Sequence, residues 1–186
     1  MNVIIGCEVL TYDELSEDMK KKALIQEHNT LVEIWRADHL VDDFKEQLEK
    51  IGFMEPEVFY SGFGSQGDGA CFDATVDLKK VCRHLGIPYR SRNNWECSIE
   101  VVNNRYVHAM TRSVVFHGNK ASVGMKIETL RAELCEEFYE TLQSDYDEQT
   151  SEEACLGFLR ERKFVYRRGL EETLEEATKS EGVQIL

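Results

Sequence analysis

The spacing of hydrophobic positions changes several times along the chain, and each change predicts an element. Residues 2–10 alternate loosely, with Val3, Ile4, Ile5, Val9 and Leu10, and read as a first strand. Thr11 with Glu14 fits a capping box. Ser16 followed by Glu17 and Asp18 offers a second helix start with acids where the helix dipole favours them, so a helix is expected over 13–28. Ala37, Leu40, Val41, Phe44, Leu48 and Ile51 then recur at intervals of three and four, predicting a second helix over 33–51 that Gly52 stops. Pro56 forces extended backbone, which makes 57–60 a strand and 71–75 its return partner.

The second half reads in the same way. A short helix is expected over 77–85, ended by Gly86 and Pro88. Three β-rich runs, 95–102, 105–110 and 113–117, are separated by Asn103-Asn104 and Gly118-Asn119 and predict an antiparallel meander. The longest helix is expected over 125–146, with Ile127, Leu130, Leu134, Phe138 and Leu142 inward. Thr150 and Glu153 form a capping box for a further helix to about 162, Phe164-Val165-Tyr166 reads as an edge strand, and residues after Gly169 as a loosely held helix or frayed tail over 170–186. The expected fold is one α+β domain over 1–186: a small antiparallel sheet, meander plus hairpin, packed by four to five helices.

Charge sharpens this picture. The net charge of −13 argues against a surface that generally seeks phosphate, yet its distribution is uneven. From Glu128 to Glu153 ten acids stand against Arg131, a net of −9, and from Lys79 to Lys120 eight basic residues stand against Glu96 and Glu100, a net of +6. Six cysteines show no CxxC pair or metal-ligand spacing, so neither a metal nor a cofactor is expected. No stretch reads as a signal peptide or membrane span, and cytoplasmic residence without membrane contact is the expectation.

The candidate chemistry concentrates at Ser61-Gly62-Phe63-Gly64-Ser65-Gln66-Gly67-Asp68-Gly69, where four glycines sit among small polar residues between aromatic flanks. Glycine is used where backbone takes positive φ or another group approaches closely, so this stretch is read as a contact surface. Three uses compete. Ser65, Asp68 and His108 are the candidates for nucleophile, acid and base of a small enzyme on a nucleotide-like substrate, set against a turn in which Ser65 and Asp68 bond their own backbone. Arg90, Arg92, Trp95, Arg105 and Arg112 make an aromatic and basic mixture of the kind that binds single-stranded nucleic acid, set against a buried sheet face. Glu133, Glu136, Glu137, Glu140, Asp145 and Asp147 form an acidic run suited to a basic groove, set against an ordinary solvated face.

Tyr12 to Glu17, Tyr60 to Phe72, Arg105-Tyr106-Val107-His108, Tyr146 to Glu153 and Phe164-Val165-Tyr166, taken in order, resemble a family of small phage and prophage proteins, some labelled the antitoxin of a toxin–antitoxin stability system. The resemblance implies an accessory role and carries over no catalytic residue. With the charge pattern it leads to the expectation of a non-enzymatic binding protein that inhibits a host nucleic-acid-dependent defence complex, anti-CRISPR-like, its partner a nuclease or nucleoprotein with a basic groove. An antitoxin and the small enzyme are the alternatives.

Overall fold

A computed structural model describes residues 7–167, which cluster into two compact units, residues 7–35 with 146–167 and residues 36–145. The elements are mixed helix and strand, an α+β arrangement.

In the first unit β1 (Cys7–Thr11) pairs antiparallel with β6 (Lys163–Arg167), Cys7 opposite Arg167 and Thr11 opposite Lys163. Between them a 3-10 turn, Tyr12–Glu14, is closed by the capping box, the Thr11 N–H donating to Glu14 Oε2 at 2.7 Å. Ser16 caps α1 (Glu17–Ile34), which starts later and runs further than the 13–28 expected. Ser151, one residue past the expected cap, accepts the Ala154 N–H and starts α5 (Glu152–Glu161). Thr150 is instead buried, its hydroxyl donating to the Tyr146 carbonyl. α1 and α5 close over Tyr12, Leu15 and Leu159, with Leu10, Met19, Ala23, Leu24 and Leu156 around them. Glu27, buried, pairs with Arg162, and Trp35 meets Tyr146 edge to face at 5.4 Å. Residues 2–6 of the expected first strand and the tail after Gly169 lie outside the described residues.

The second unit begins with α2 (Asp38–Ile51), not at Glu33: α1 ends at Ile34 and the chain turns through Trp35–Ala37. Gly52 takes φ +123°, open to glycine but strained for other residues, and a Cβ there would lie 2.6 Å from Lys80 Cβ. β2 (Phe53–Tyr60) and β3 (Ala70–Val76) form a hairpin with an irregularity between Met54 and Glu57, beside Pro56. Asp77 accepts from the Lys79 and Lys80 N–H groups to cap α3 (Leu78–His84).

The meander over 95–117 is corrected to a two-stranded hairpin of β4 (Glu96–Val101) and β5 (Arg112–His117). Its expected middle strand is a connection, because Asn103 Oδ1 takes the Arg105 N–H at 2.7 Å and His108 Nδ1 takes the Met110 N–H at 3.1 Å. Such local side-chain bonds compete with strand pairing and turn the backbone. The described strands therefore make three two-stranded sheets.

α4 (Ala121–Gln149) is the longest described helix and carries the core of this unit on one side. Phe138 stacks on Phe44 with ring centroids 4.2 Å apart, and Phe72 meets Phe44 and Phe53 edge to face. The inward position at 130 is corrected by one: Arg131, with no exposed surface, points into the core, while Leu130 is half-buried.

Candidate functional site

The glycine stretch is the tip of the β2–β3 hairpin, and the Asp68 carboxylate and Ser61 hydroxyl accept from its own backbone amides. Asp68 Oδ2 accepts from the Gly64 N–H at 2.9 Å and the Ser65 N–H at 2.6 Å, and the Asp68 N–H returns to the Ser65 carbonyl. Those amide bonds, Ser65 first and Gly64 second, hold the Asp68 carboxyl below the usual carboxylate range. Ser61 Oγ accepts the Gly69 N–H at 3.1 Å and donates to the Val107 carbonyl at 3.4 Å, and the Ser61 N–H donates to the Gly69 carbonyl. The tip is thus laced shut across its neck.

Two of its four glycines are explained by close approach. A Cβ on Gly67 would sit 2.5 Å from Tyr106 Cδ1, and one on Gly69 would sit 2.5 Å from His108 Cβ and 2.8 Å from its Cα. Gly62 and Gly64 have room, and none of the four is among the positive-φ glycines. From α4, Tyr139 donates its hydroxyl to the Gly62 carbonyl at 3.0 Å and sets its ring 5.6 Å from Phe63. Burial, and then the charge on Asp68, raise the Tyr139 hydroxyl, which keeps it a donor.

The glycines therefore form a seat for the connection between β4 and β5. Against Gly67 and Gly69 stand Tyr106, at 42% exposure, and His108; Val102 at 64% and Met110 at 73%, which the sequence reading did not single out as a surface, are exposed on the same connection, and Val101 at the end of β4. The Arg105 guanidinium lies 5.3 Å from the Tyr106 ring centroid, and the His108 ring stacks on its neighbour Tyr106 at 6.3 Å. Val102 and Met110 fall inside expected strands, 95–102 and 105–110, so no local signal marks them as exposed.

The catalytic grouping does not assemble as expected. His108 Nδ1 is occupied by the Met110 N–H, and among the described residues no hydrogen bond joins Ser65 or Asp68 to His108. The aromatic and basic mixture divides. Arg90, Arg92 and Arg105 are exposed, but Trp95 is buried at 6% with its indole N–H on Asn119 Oδ1 at 2.9 Å. Arg112 is buried at 8%, bidentate to Asp73 at 2.5 and 3.2 Å, with its guanidinium over Phe59. Trp95 and Arg112 are core residues, which fits the buried-face reading of them and not the alternative of a stacking platform.

The acidic run is presented outward. Glu133, Glu136, Glu137 and Glu140 are all exposed and recur at i, i+3, i+4 and i+7, the spacing of one helix stripe. Among the described residues none of the four takes part in an ion pair. Asp145 is half-buried and Asp147 exposed, and both lie further along α4. Gln66 and Ser65 are exposed at the hairpin tip, and Phe63 is half-buried.

Thiol chemistry is muted. Burial pushes Cys135 up to about 12 and Cys97 up to about 11, so these thiols stay protonated near neutrality. Among the described residues no cluster of three or more histidine, cysteine or acidic side chains is placed to hold a metal, and no helix is long and apolar enough to cross a membrane.

What the geometry defines is an α+β protein with a laced hairpin tip and an outward acidic helix stripe. The chain belongs to the family described as a domain of unknown function (DUF8835), which matches residues 35–152 and so spans the whole of the second unit. No curated protein and no solved structure matches the chain.

Proposed function

We propose that the chain is an accessory binding protein of phage or prophage type that inhibits a host nucleic-acid-dependent defence complex, with α4 competing for a basic groove that normally takes nucleic acid. The observation that carries this reading is the stripe of Glu133, Glu136, Glu137 and Glu140. Four exposed carboxylates within two helical turns, outside the ion pairs of the described residues, concentrate negative potential on one face of a helix. A field of that kind speeds encounter with a basic partner and disfavours acidic ones.

The hairpin tip supports a binding role over a catalytic one. Its carboxylate and Ser61 hydroxyl serve its own backbone, and the surface it holds up is apolar and aromatic with one arginine, a composition enriched at interface centres. In this reading the tip fixes the register of the complex, and the protein works in the host cytoplasm.

Reversing Glu136, Glu137 and Glu140 to lysine tests it. The triple variant should lose capture of the partner at least tenfold, and the wild-type complex should weaken steeply between 50 and 300 mM salt. Equal capture by both proteins with a flat salt response would remove the electrostatic reading.

A further inference from the structure

Beside the acidic stripe, α2 and α4 leave a groove of about 180 Å³. Its floor is apolar, made by Leu40, Phe44, Leu134 and Phe138, and a carboxylate stands on each wall, Asp43 on α2 and Glu137 on α4. Engineered apolar cavities of roughly 150 Å³ take a benzene ring, so the space suits one large apolar side chain and little more. Around the wheel of α4, Glu133, Glu137 and Glu140 follow one another along the edge of this groove over about 10 Å of helix. A cleft between two helices is filled most naturally by a third, through an amphipathic face.

We propose that this groove seats one leucine or aromatic side chain from a basic amphipathic helix of the protein partner, with a lysine or arginine about one turn to either side of that anchor meeting Asp43, Glu137 and the neighbouring Glu133 and Glu140. The proposal rests on the reading of α4 as the binding surface and adds to it the kind of segment that is bound. Carboxylates attract any cation, whereas an apolar slot between them selects a chain that alternates charge with an apolar anchor. Nucleic acid is repelled by the same rim.

Three synthetic probes test it against the full chain, by fluorescence anisotropy at 50 and 300 mM NaCl. One is an 18-residue helical peptide with a leucine and tryptophan face flanked by lysines. The second is the same composition scrambled so that no face forms, and the third is oligolysine of equal charge. The first is expected to bind at least tenfold tighter than the other two and to keep more of its affinity at high salt. Thr141→Trp and Gln47→Trp, both at exposed lining positions, fill the groove. Each should bring the first probe down to the level of oligolysine and leave oligolysine unchanged, and using both keeps the test valid if one variant fails to fold. Equal, salt-sensitive binding of all three probes, or an amphipathic probe indifferent to both filled grooves, overturns the groove and leaves the acidic stripe standing. Absence of binding by every probe at 50 mM NaCl overturns both.

Discussion

Arg131 has no exposed surface, and Glu128, one turn earlier on α4, holds it with both carboxylate oxygens: Nη2 to Oε1 at 2.5 Å and Nε to Oε2 at 3.1 Å. Oε2 also accepts the Val114 N–H at 2.7 Å, so one carboxylate ties β5 to the helix. Burial pushes the Glu128 carboxyl up, but Arg131 and the Val114 amide outweigh it and hold the group below its ordinary value.

From this relation follows a stability prediction. Glu128→Ala strands a buried guanidinium and a strand N–H together; because the Glu128 side chain itself is 35% exposed, the cost expected is that of leaving buried donors unsatisfied, roughly 1–3 kcal/mol. Urea denaturation of the variant should show a loss of about that size. Arg131→Lys should also destabilise, since an ammonium cannot make the bidentate contact. A loss under about 1 kcal/mol in Glu128→Ala would contradict the role of the pair.

The two kinds of glycine at the hairpin tip separate cleanly. Gly69→Ala puts a methyl 2.5 Å from His108 Cβ and 2.8 Å from its backbone Cα, which cannot swing away as the exposed Tyr106 ring opposite Gly67 can, and forced overpacking costs typically about 1–3 kcal/mol. Gly64→Ala meets nothing within 4 Å and should stay within about 0.5 kcal/mol of the wild type. Thermal melts of the pair check the difference, and changes in the His108 resonances should accompany only the first.

Asp68 gives the tip a pH dependence of known sign. Its folded carboxyl lies below the ordinary value near 3.9, so its contribution is fully present above that value and is lost as pH falls through the lower, folded one. The Gly64 and Ser65 amide resonances should therefore hold steady from neutrality down to about pH 4 and move together below it. In Asp68→Ala both amides should lose protection from hydrogen exchange at neutral pH.

Much of this architecture could be read from the chain before any coordinates. Ser16 and the acids after it mark a helix start, Gly52 a helix stop, and the paired aromatic flanks a hairpin around the glycines, because each signal is local. What escaped was decided by partners remote in sequence or by bonds that override propensity. Tyr106, Val107 and Ala109 have strand composition, yet the Asn103 and His108 side chains capture the amides a ladder would need. Trp95 and Arg112 were open to two readings, a nucleic-acid surface or a buried sheet face, and only the long-range bonds to Asn119 and Asp73 go with the second. Arg131 enters the sequence reading only as the one base among ten acids; its burial depends on Glu128, whose carboxylate also takes the Val114 amide. The acidic stripe was legible in full, since helical spacing alone places Glu133, Glu136, Glu137 and Glu140 together; the groove beside it was not, since it needs α2 as its second wall.

The central claim is that α4 occupies a site otherwise used by nucleic acid. Once the partner complex is recovered with the chain, the measurement is displacement of a labelled guide or target strand from it as the protein is added. Full displacement by the wild type is expected, with the Glu136, Glu137 and Glu140 reversal at least tenfold less effective. Simultaneous binding of protein and strand, with no change in the affinity of either, would contradict that claim.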